Sequence, residues 1–463
     1  MFNAQFSIPK YSRNGFPVFK LATRYTMRIK PIIVITVLPF LTHAQPLSLQ
    51  DALRIAQENR PELQAQALRM DIARNADAQV RGQWRPQVSG TADSRWNTQL
   101  QTNVLPIGSF GLPGVPADAR REVEFGLPFN NILSVQAEQK VVDRNRAVDR
   151  QLHAAQVELE RNTLEQNKLA VRYAVEEAYL AVLFHEERLR LAVQTLERNR
   201  LTLEYVAERY RNGRVLKNDL DRAVLDTGNA ALVVRNIRHD RDLGLQTLCY
   251  RMHWMPESAP VLTARLEPLL AQAGALETEP AGERLELLAE ALNLRLNTLQ
   301  QRKQRLRRQP SVSAYANYAL LQLHDQFNPF VGGTWFPYNF IGIRAQFPLY
   351  DGGQARHAAQ DFVLRQQINQ LNLGKLRADV TYEQTSARTA LRQALADLEQ
   401  SRRNLALAEQ LYRTDQDRYQ QGVLLQTDLK NTELSLLTAQ NNYLSAVYQV
   451  LIARVGYRKA VGD

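Results

Sequence analysis

Two aspartates stand at the same place in two copies of one short pattern. "RYRNGRVLKNDL" begins at Arg209 and "RYQQGVLLQTDL" at Arg418, and six of the twelve positions agree: Arg209/Arg418, Tyr210/Tyr419, Gly213/Gly422, Leu216/Leu425, Asp219/Asp428 and Leu220/Leu429. A carboxylate just past a Tyr-x-x-Gly helix stop has two uses. At the start of the next helix it accepts backbone N–H bonds and meets the positive end of the helix dipole. Repeated around a symmetry axis, it forms a ring that favours cations and can be bridged or plugged by them. Gly213 and Gly422 supply the left-handed caps that such stops require.

Other chemistry is missing. Of the histidines, His153, His185, His239 and His253 fall on helical stretches, His324 and His357 near strands, and His43 near the start, and none sits in HExxH or a paired metal spacing. "PLYDGG" and "FVGG" are short turns without GxGxxG or a phosphate-loop lysine. The single Cys249 gives neither a thiol site nor an internal disulfide. No enzyme, metal site or cofactor is expected.

The elements that must position the two aspartates are long. Arg144 to Arg211 holds no proline or glycine, and its apolar residues recur at helical spacing. A helix of this length runs about 100 Å, more than a compact core uses, which points to a coiled coil or helical tube. Gln354 to Gln421 repeats the feature, interrupted only by Gly374. Upstream of each, the period changes to two. "QVSGTADSRWN" after Pro86, "LSVQAEQKV" from Leu133, "SVSAYANYAL" after Pro310 and "FIGIRAQFPLY" from Phe340 are strands of about ten residues with one polar face. In the last, Ile341, Ile343, Ala345, Phe347 and Leu349 share a face. Loops fill the gaps at 104–121 and 326–339, and Trp335, Phe336, Tyr338 and Phe340 belong either at a lipid–water boundary or in ordinary loop packing.

"MRIKPIIVITVLPFLTHAQ" has the layout of an export signal: Arg28 and Lys30, an apolar run from Ile32 to Leu41, and cleavage after Ala44. Met27 opens this module and is a candidate start. No later stretch is apolar enough for a membrane helix. The formal charge of +11 invites a nucleic-acid reading, but the basic residues are interleaved with Glu and Asp along helices, so no nucleic acid is expected. Exported ten-residue strands with one polar face indicate an outer-membrane barrel. Four strands cannot close one, because the smallest known have eight and an open edge is not tolerated in lipid. The chain must oligomerise. Two copies give eight strands around a filled interior, and three give twelve around a lumen.

These residues resemble the TolC family of outer-membrane efflux and secretion channels, over the whole mature chain. "LSLQDALRIAQENRPELQAQALRMDIARNADAQVRGQWRPQVS" (Leu47–Ser89) is similar to the family's first helical segment, "FPLYDGGQAR" to its second strand–helix junction through Pro348, Asp351, Gly352 and Gly353, and "DRYQQGVLLQTDL" to the turn at the periplasmic tip. The first junction departs, with Lys140, Arg144 and Asn145 where Pro and Gly-Gly are expected, as does Leu285 at the counterpart of Pro61. The resemblance implies an α+β, mainly α fold: a trimeric twelve-strand barrel, four strands per chain, continued by a helical periplasmic tunnel. The expected organisation is a signal at 1–44, a first repeat at 45–260, a linker at 261–283 and a second repeat at 284–463. Implied partners are two further copies, a periplasmic adaptor, an inner-membrane pump and outer-membrane lipid. The implied function is passive, gated conduction of drugs, metal ions or secreted proteins, the last as in type I secretion. Asp428, Asp219, Asn218 and Tyr419 match gate residues. The family's second acid falls at Asn431 and its lock arginine at Leu424, with Arg214 or Lys217 as replacements. The rival class, a non-conducting periplasmic coiled-coil protein, has no use for strands with a polar face.

Overall fold

The computed structural model describes residues 46–106, 113–114, 116, 118–256, 258–271, 284–327, 334–421 and 423–463. The predicted signal at 1–44 and the predicted cap Gly422 lie outside them. Two short helices open the chain, α1 (Leu49–Asn59) and α2 (Pro61–Gly82), separated at Arg60 because Pro61 cannot continue the hydrogen-bond ladder but suits a first helical turn. The long helices are α3 (Arg144–Arg211, 68 residues) and α7 (Gln354–Gln420, 67 residues). Each returns as a helix of 36 residues, α4 (Lys217–Met252) or α8 (Gln426–Val461). Between them lie α5 (Leu266–Ala271) and α6 (Leu285–Leu306). α7 runs through Gly374 without a break, since one glycine costs only about 1 kcal/mol in a helix with many other turns. Among the described residues no helix is long and apolar enough to cross a membrane.

Among the described residues the strands are β1 (Pro46–Leu47), β2 (Gln87–Trp96), β3 (Gln101–Leu105), β4 (Arg121–Phe125), β5 (Phe129–Val142), β6 (Val261–Leu262), β7 (Ser311–His324) and β8 (Trp335–Gln346). Four form one antiparallel sheet in the order β2-β5-β7-β8. Its register aligns Val88 with Ala137, Val135 with Tyr318, and Ala316 with Ile341. One face therefore carries Val88, Leu133, Val135, Tyr318, Ile341 and Ile343, all exposed, and the other carries the polar Ser89, Ser134, Gln136, Asn317 and Arg344 together with the aromatic Tyr315, Phe336, Tyr338 and Phe340. At one end of the apolar face Ser94 donates to Asn131 (2.6 Å) and Asn131 to Gln322 (3.0 Å), next to the stacked pair Trp96–Phe129.

Two expectations need correction. β8 starts at Trp335, five residues before the predicted strand, because pairing with β7 extends to Gln322; Trp335, Phe336 and Tyr338 are strand residues. It ends at Gln346, so Phe347 and Leu349 lie beyond it. The 104–121 loop is flanked by an unpredicted hairpin, β3 with β4, whose Val104 and Val123 were obscured by neighbouring Gly and Pro. In the predicted linker, β6 pairs in parallel with β1, tying Leu262 to Leu47.

The main core gathers α1, α3, α4, α5, α8 and the β1–β6 pair around Tyr179, Leu183, Leu248, Met252, Val447 and Val450. Tyr179, fully buried, donates its hydroxyl to Leu47 O at 3.0 Å, which satisfies the one polar atom a buried tyrosine must place. Phe184 of α3 stacks on Tyr448 of α8 with centroids 4.6 Å apart.

Candidate functional site

Each long helix must stop before the chain can return. α3 ends at Arg211 with Asn212 as its cap, and Gly213 follows at φ +67°. Gly213 N–H donates to Tyr210 O (2.9 Å) and Arg214 N–H to Arg209 O (2.8 Å), the paired bonds of a Schellman stop, which needs a residue at ease with positive φ. α7 makes the wider-spanning bond of the same motif, from Val423 N–H to Arg418 O at 2.9 Å.

Asp219 is the third residue of α4, and its Oδ2 accepts the Leu216 N–H at 3.2 Å. This is half of a capping box, because Leu216 has no side-chain acceptor to return the bond. Asp428 is the third residue of α8, yet its carboxylate is exposed and no N-cap bond reaches it among the described residues. The two equivalent acids therefore differ: both are exposed, but only Asp219 bonds the start of its helix.

A groove of about 750 Å³ brings the two turns together, lined by Tyr205, Asp219, Arg222, Tyr419, Lys430 and Asn431 among others. Asn218 and Asp428 are exposed and outside its lining, as are Arg214 and Lys217. The tie across the groove comes from Lys430. Its Nζ donates to Asn199 Oδ1 of α3 (3.1 Å) and Glu433 Oε2 of α8 (3.4 Å), and lies 3.7 Å from Asp226 Oδ2 of α4. Arg198 Nε lies 3.6 Å from Glu433 Oε1, and Thr227 donates to Asn199 O (3.2 Å). An isolated surface pair contributes about 0–1 kcal/mol, but this half-buried set shares one lysine among three helices. Sequence reading missed it. The available signal was the 209-residue offset of the repeated pattern, which sets Lys430 against Asp221: a base in one copy, an acid in the other.

At the other end of the long helices, Asp351 accepts from Ala355 N–H (2.9 Å) and Gly353 N–H (3.0 Å). These bonds, with Arg308 at 3.7 Å, hold its carboxyl below the usual range. Gly352 (φ +65°) and Gly353 (φ +84°) make the turn, and Pro348 sits between β8 and that turn. The first junction needs no such turn. Asp143 is extended at φ −148° and accepts the Asn145 N–H at 3.0 Å, which explains how Arg144 and Asn145 stand in for two glycines.

A second duplicated device went unnoticed in the sequence. Arg60 is gripped by Glu62 (2.9 and 3.1 Å) and donates to Arg251 O, at the end of α4, at 2.9 Å. Arg284 is gripped by Glu286 (3.1 and 3.4 Å) and donates to Ala460 O, at the end of α8, at 2.8 Å. The shared signal is Arg-x-Glu-Leu, at 60–63 and 284–287. Arg60's hydrogen bonds pull the Glu62 carboxyl down to about 2. Among the described residues no group of three or more His, Cys, Asp or Glu is placed to hold a metal.

A model of the outer membrane efflux protein family matches residues 52–232 and again 279–463. The chain belongs to the outer membrane efflux protein family. Among curated proteins no sequence matches it. The efflux protein shares its fold with VceC of Vibrio cholerae (16% identity, TM-score 0.65, covering 90% of this chain and 96% of that one). It is similar to the Campylobacter jejuni outer membrane channel CmeC (14%, 0.67, 89% and 85%). It is also similar to the open state of the Neisseria gonorrhoeae outer membrane channel MtrE (16%, 0.67, 90% and 89%). The family is one of channels and not of enzymes, and this efflux protein is an outer-membrane efflux channel component.

Proposed function

We propose that three copies of this efflux protein close into a twelve-strand barrel, continued by a helical tunnel that conducts passively and is gated where α3, α4, α7 and α8 turn. The observation that carries this is the antiparallel four-stranded sheet with open edges at β2 and β8. Its outer strands run in opposite directions, so copies join β8 to β2 with every neighbour antiparallel. The exposed aliphatic face then meets lipid, and the face that mixes Ser, Asn, Gln and Arg with Tyr315, Phe336, Tyr338 and Phe340 lines the lumen. The two family matches support a duplicated chain, with repeats near 45–260 and 284–463 joined by 261–283.

The helices carry a second seam. Leu364, Ile368, Leu371, Lys375, Ala378 and Tyr382 follow alternating steps of four and three along α7, the spacing of a coiled-coil face, and Leu371 and Tyr382 are each 75% exposed. α2 offers exposed Leu68 and Ile72 to the α7 of the next copy. At the tip, Asp428 repeated in three copies forms the cation-attracting ring, Lys430 ties the helix pairs, Asp219 and Tyr419 line the groove between them, and Asn218 stands exposed at the same turn. Energy comes from an inner-membrane pump through a periplasmic adaptor. The test is planar-bilayer recording with native mass measurement: a trimer that conducts is expected, and a stable non-conducting monomer overturns the reading in favour of a coiled-coil structural protein.

A further inference from the structure

The two ends of the four-stranded sheet differ sharply in charge. Residues 302–313, which lead α6 into β7, contain Arg302, Lys303, Arg305, Arg307 and Arg308 and no acid. Residues 322–336, at the far end of the same strand pair, contain Asp325 and no Lys or Arg. Three of the guanidinium groups on the helix side share one cavity of about 330 Å³: Arg305 and Arg308 at the end of α6 and Arg356 in the first turn of α7, with Gln301 and Gln360 beside them. No carboxylate lines it. Arg308 has Asp351 at 3.7 Å, a group already engaged by two backbone N–H donors, and no ion pair with a described residue involves Arg305 or Arg356.

A neighbouring segment fixes the depth of this cavity. Between the end of β8 and Asp351 the chain runs Phe347, Pro348, Leu349, Tyr350, with Leu349 94% and Tyr350 90% exposed. Trp84, just before β2, is exposed as well and lies under Arg146 at 5.7 Å. Apolar and aromatic side chains displayed this way, at the edge of an apolar strand face, are interfacial anchors. The arginine cavity therefore sits at headgroup level. Guanidinium forks match phosphate oxygens two at a time, and clustered Lys and Arg beside a bilayer draw anionic lipid.

We propose that Arg305, Arg308 and Arg356 bind the phosphate of an anionic phospholipid in the leaflet nearer the helices, one per copy. The inference rests on the sheet being a membrane barrel. The test is native mass spectrometry of the detergent-solubilised full-length oligomer, offered phosphatidylglycerol and phosphatidylethanolamine with identical acyl chains. Retention of phosphatidylglycerol by about tenfold or more over the zwitterionic lipid is expected. The triple change Arg305→Gln, Arg308→Gln, Arg356→Gln should bring the two lipids to parity, while the triple change to Lys keeps the preference because the charge stays. Arg235→Gln with Arg238→Gln, on α4, should leave it untouched. If the triple Gln variant does not assemble, Arg356→Gln alone, on an exposed position, is read the same way. Parity in the unaltered protein, or an unchanged preference in the Gln variants, overturns the proposal. So does displacement of the lipid by millimolar inorganic phosphate, which would make the cavity a free-anion site. Bilayer conductance of the same sample separates the two failures: a conducting oligomer without lipid preference sinks only this inference, and a non-conducting one sinks the barrel.

Discussion

Asp219 and Asp428 share a place in the repeated pattern but not a bond. Because Asp219 accepts the Leu216 N–H, Asp219→Ala should weaken the first turn of α4 by about 1 kcal/mol, seen as faster hydrogen exchange over residues 214–222. Asp428 bonds no described backbone donor, so Asp428→Asn should change stability by less than about 1 kcal/mol, the size of a lost charge–dipole contact. It should instead reduce cation preference and block by trivalent cations in single-channel recording. A marked loss of stability with unchanged block would make Asp428 a cap and remove the ring. Glu62 gives a pH signature. Its carboxyl is depressed to about 2 by Arg60's hydrogen bonds, below its unfolded value near 4.3, so its contribution is complete above that value and is lost as pH falls towards 2. Exchange at the α1–α2 break and the end of α4 should rise across that window, and Glu62→Gln should show the raised exchange at neutral pH with no further change on acidification.

The helices were legible because periodicity is local. The change from period two to helical spacing after Asp143 and the Gly213 stop mark the ends of the 144–211 run, and α3 matches it to the residue. The stop at Gly213 was legible for the same reason: a left-handed cap is a demand on one residue. The Lys430 tie was not, since Asn199, Asp226 and Lys430 come from three helices and meet only after those helices pack. The resemblance pointed instead to Leu424, Arg214 and Lys217. Lys430→Met keeps the apolar stem and removes all three partners. Exchange should rise over 195–230 and 426–440, and the channel should open more readily, with higher open probability in bilayers. Exchange and open probability at the level of the unaltered protein would mean that α8 is held by packing alone.

The sheet was half legible at the scale of the molecule. Alternation placed β2, β5, β7 and most of β8, but it could not give their ends, because strand length is decided by the partner: Trp335 is a strand residue only through its pairing with Gln322. Closure is a step further, since in the proposed barrel the partner of β8 is another copy. The α7 stripe gives the most direct access to that step. Leu371 is 75% exposed in the single chain, so an aspartate there costs the folded protomer little beyond a helix-propensity difference of about 0.7 kcal/mol or less. In the proposed trimeric tunnel the same carboxylate would face an apolar row of the next copy, and an unpaired buried charge is among the most destabilising changes an interface can carry. Leu371→Asp should therefore leave helical content and the α3–α4 and α7–α8 hairpins intact while abolishing the trimer mass and the conductance. Leu371→Met, similar in volume and uncharged, should restore both. A Leu371→Asp protein that still runs as a conducting trimer would place the seam between copies on some other face of the helices.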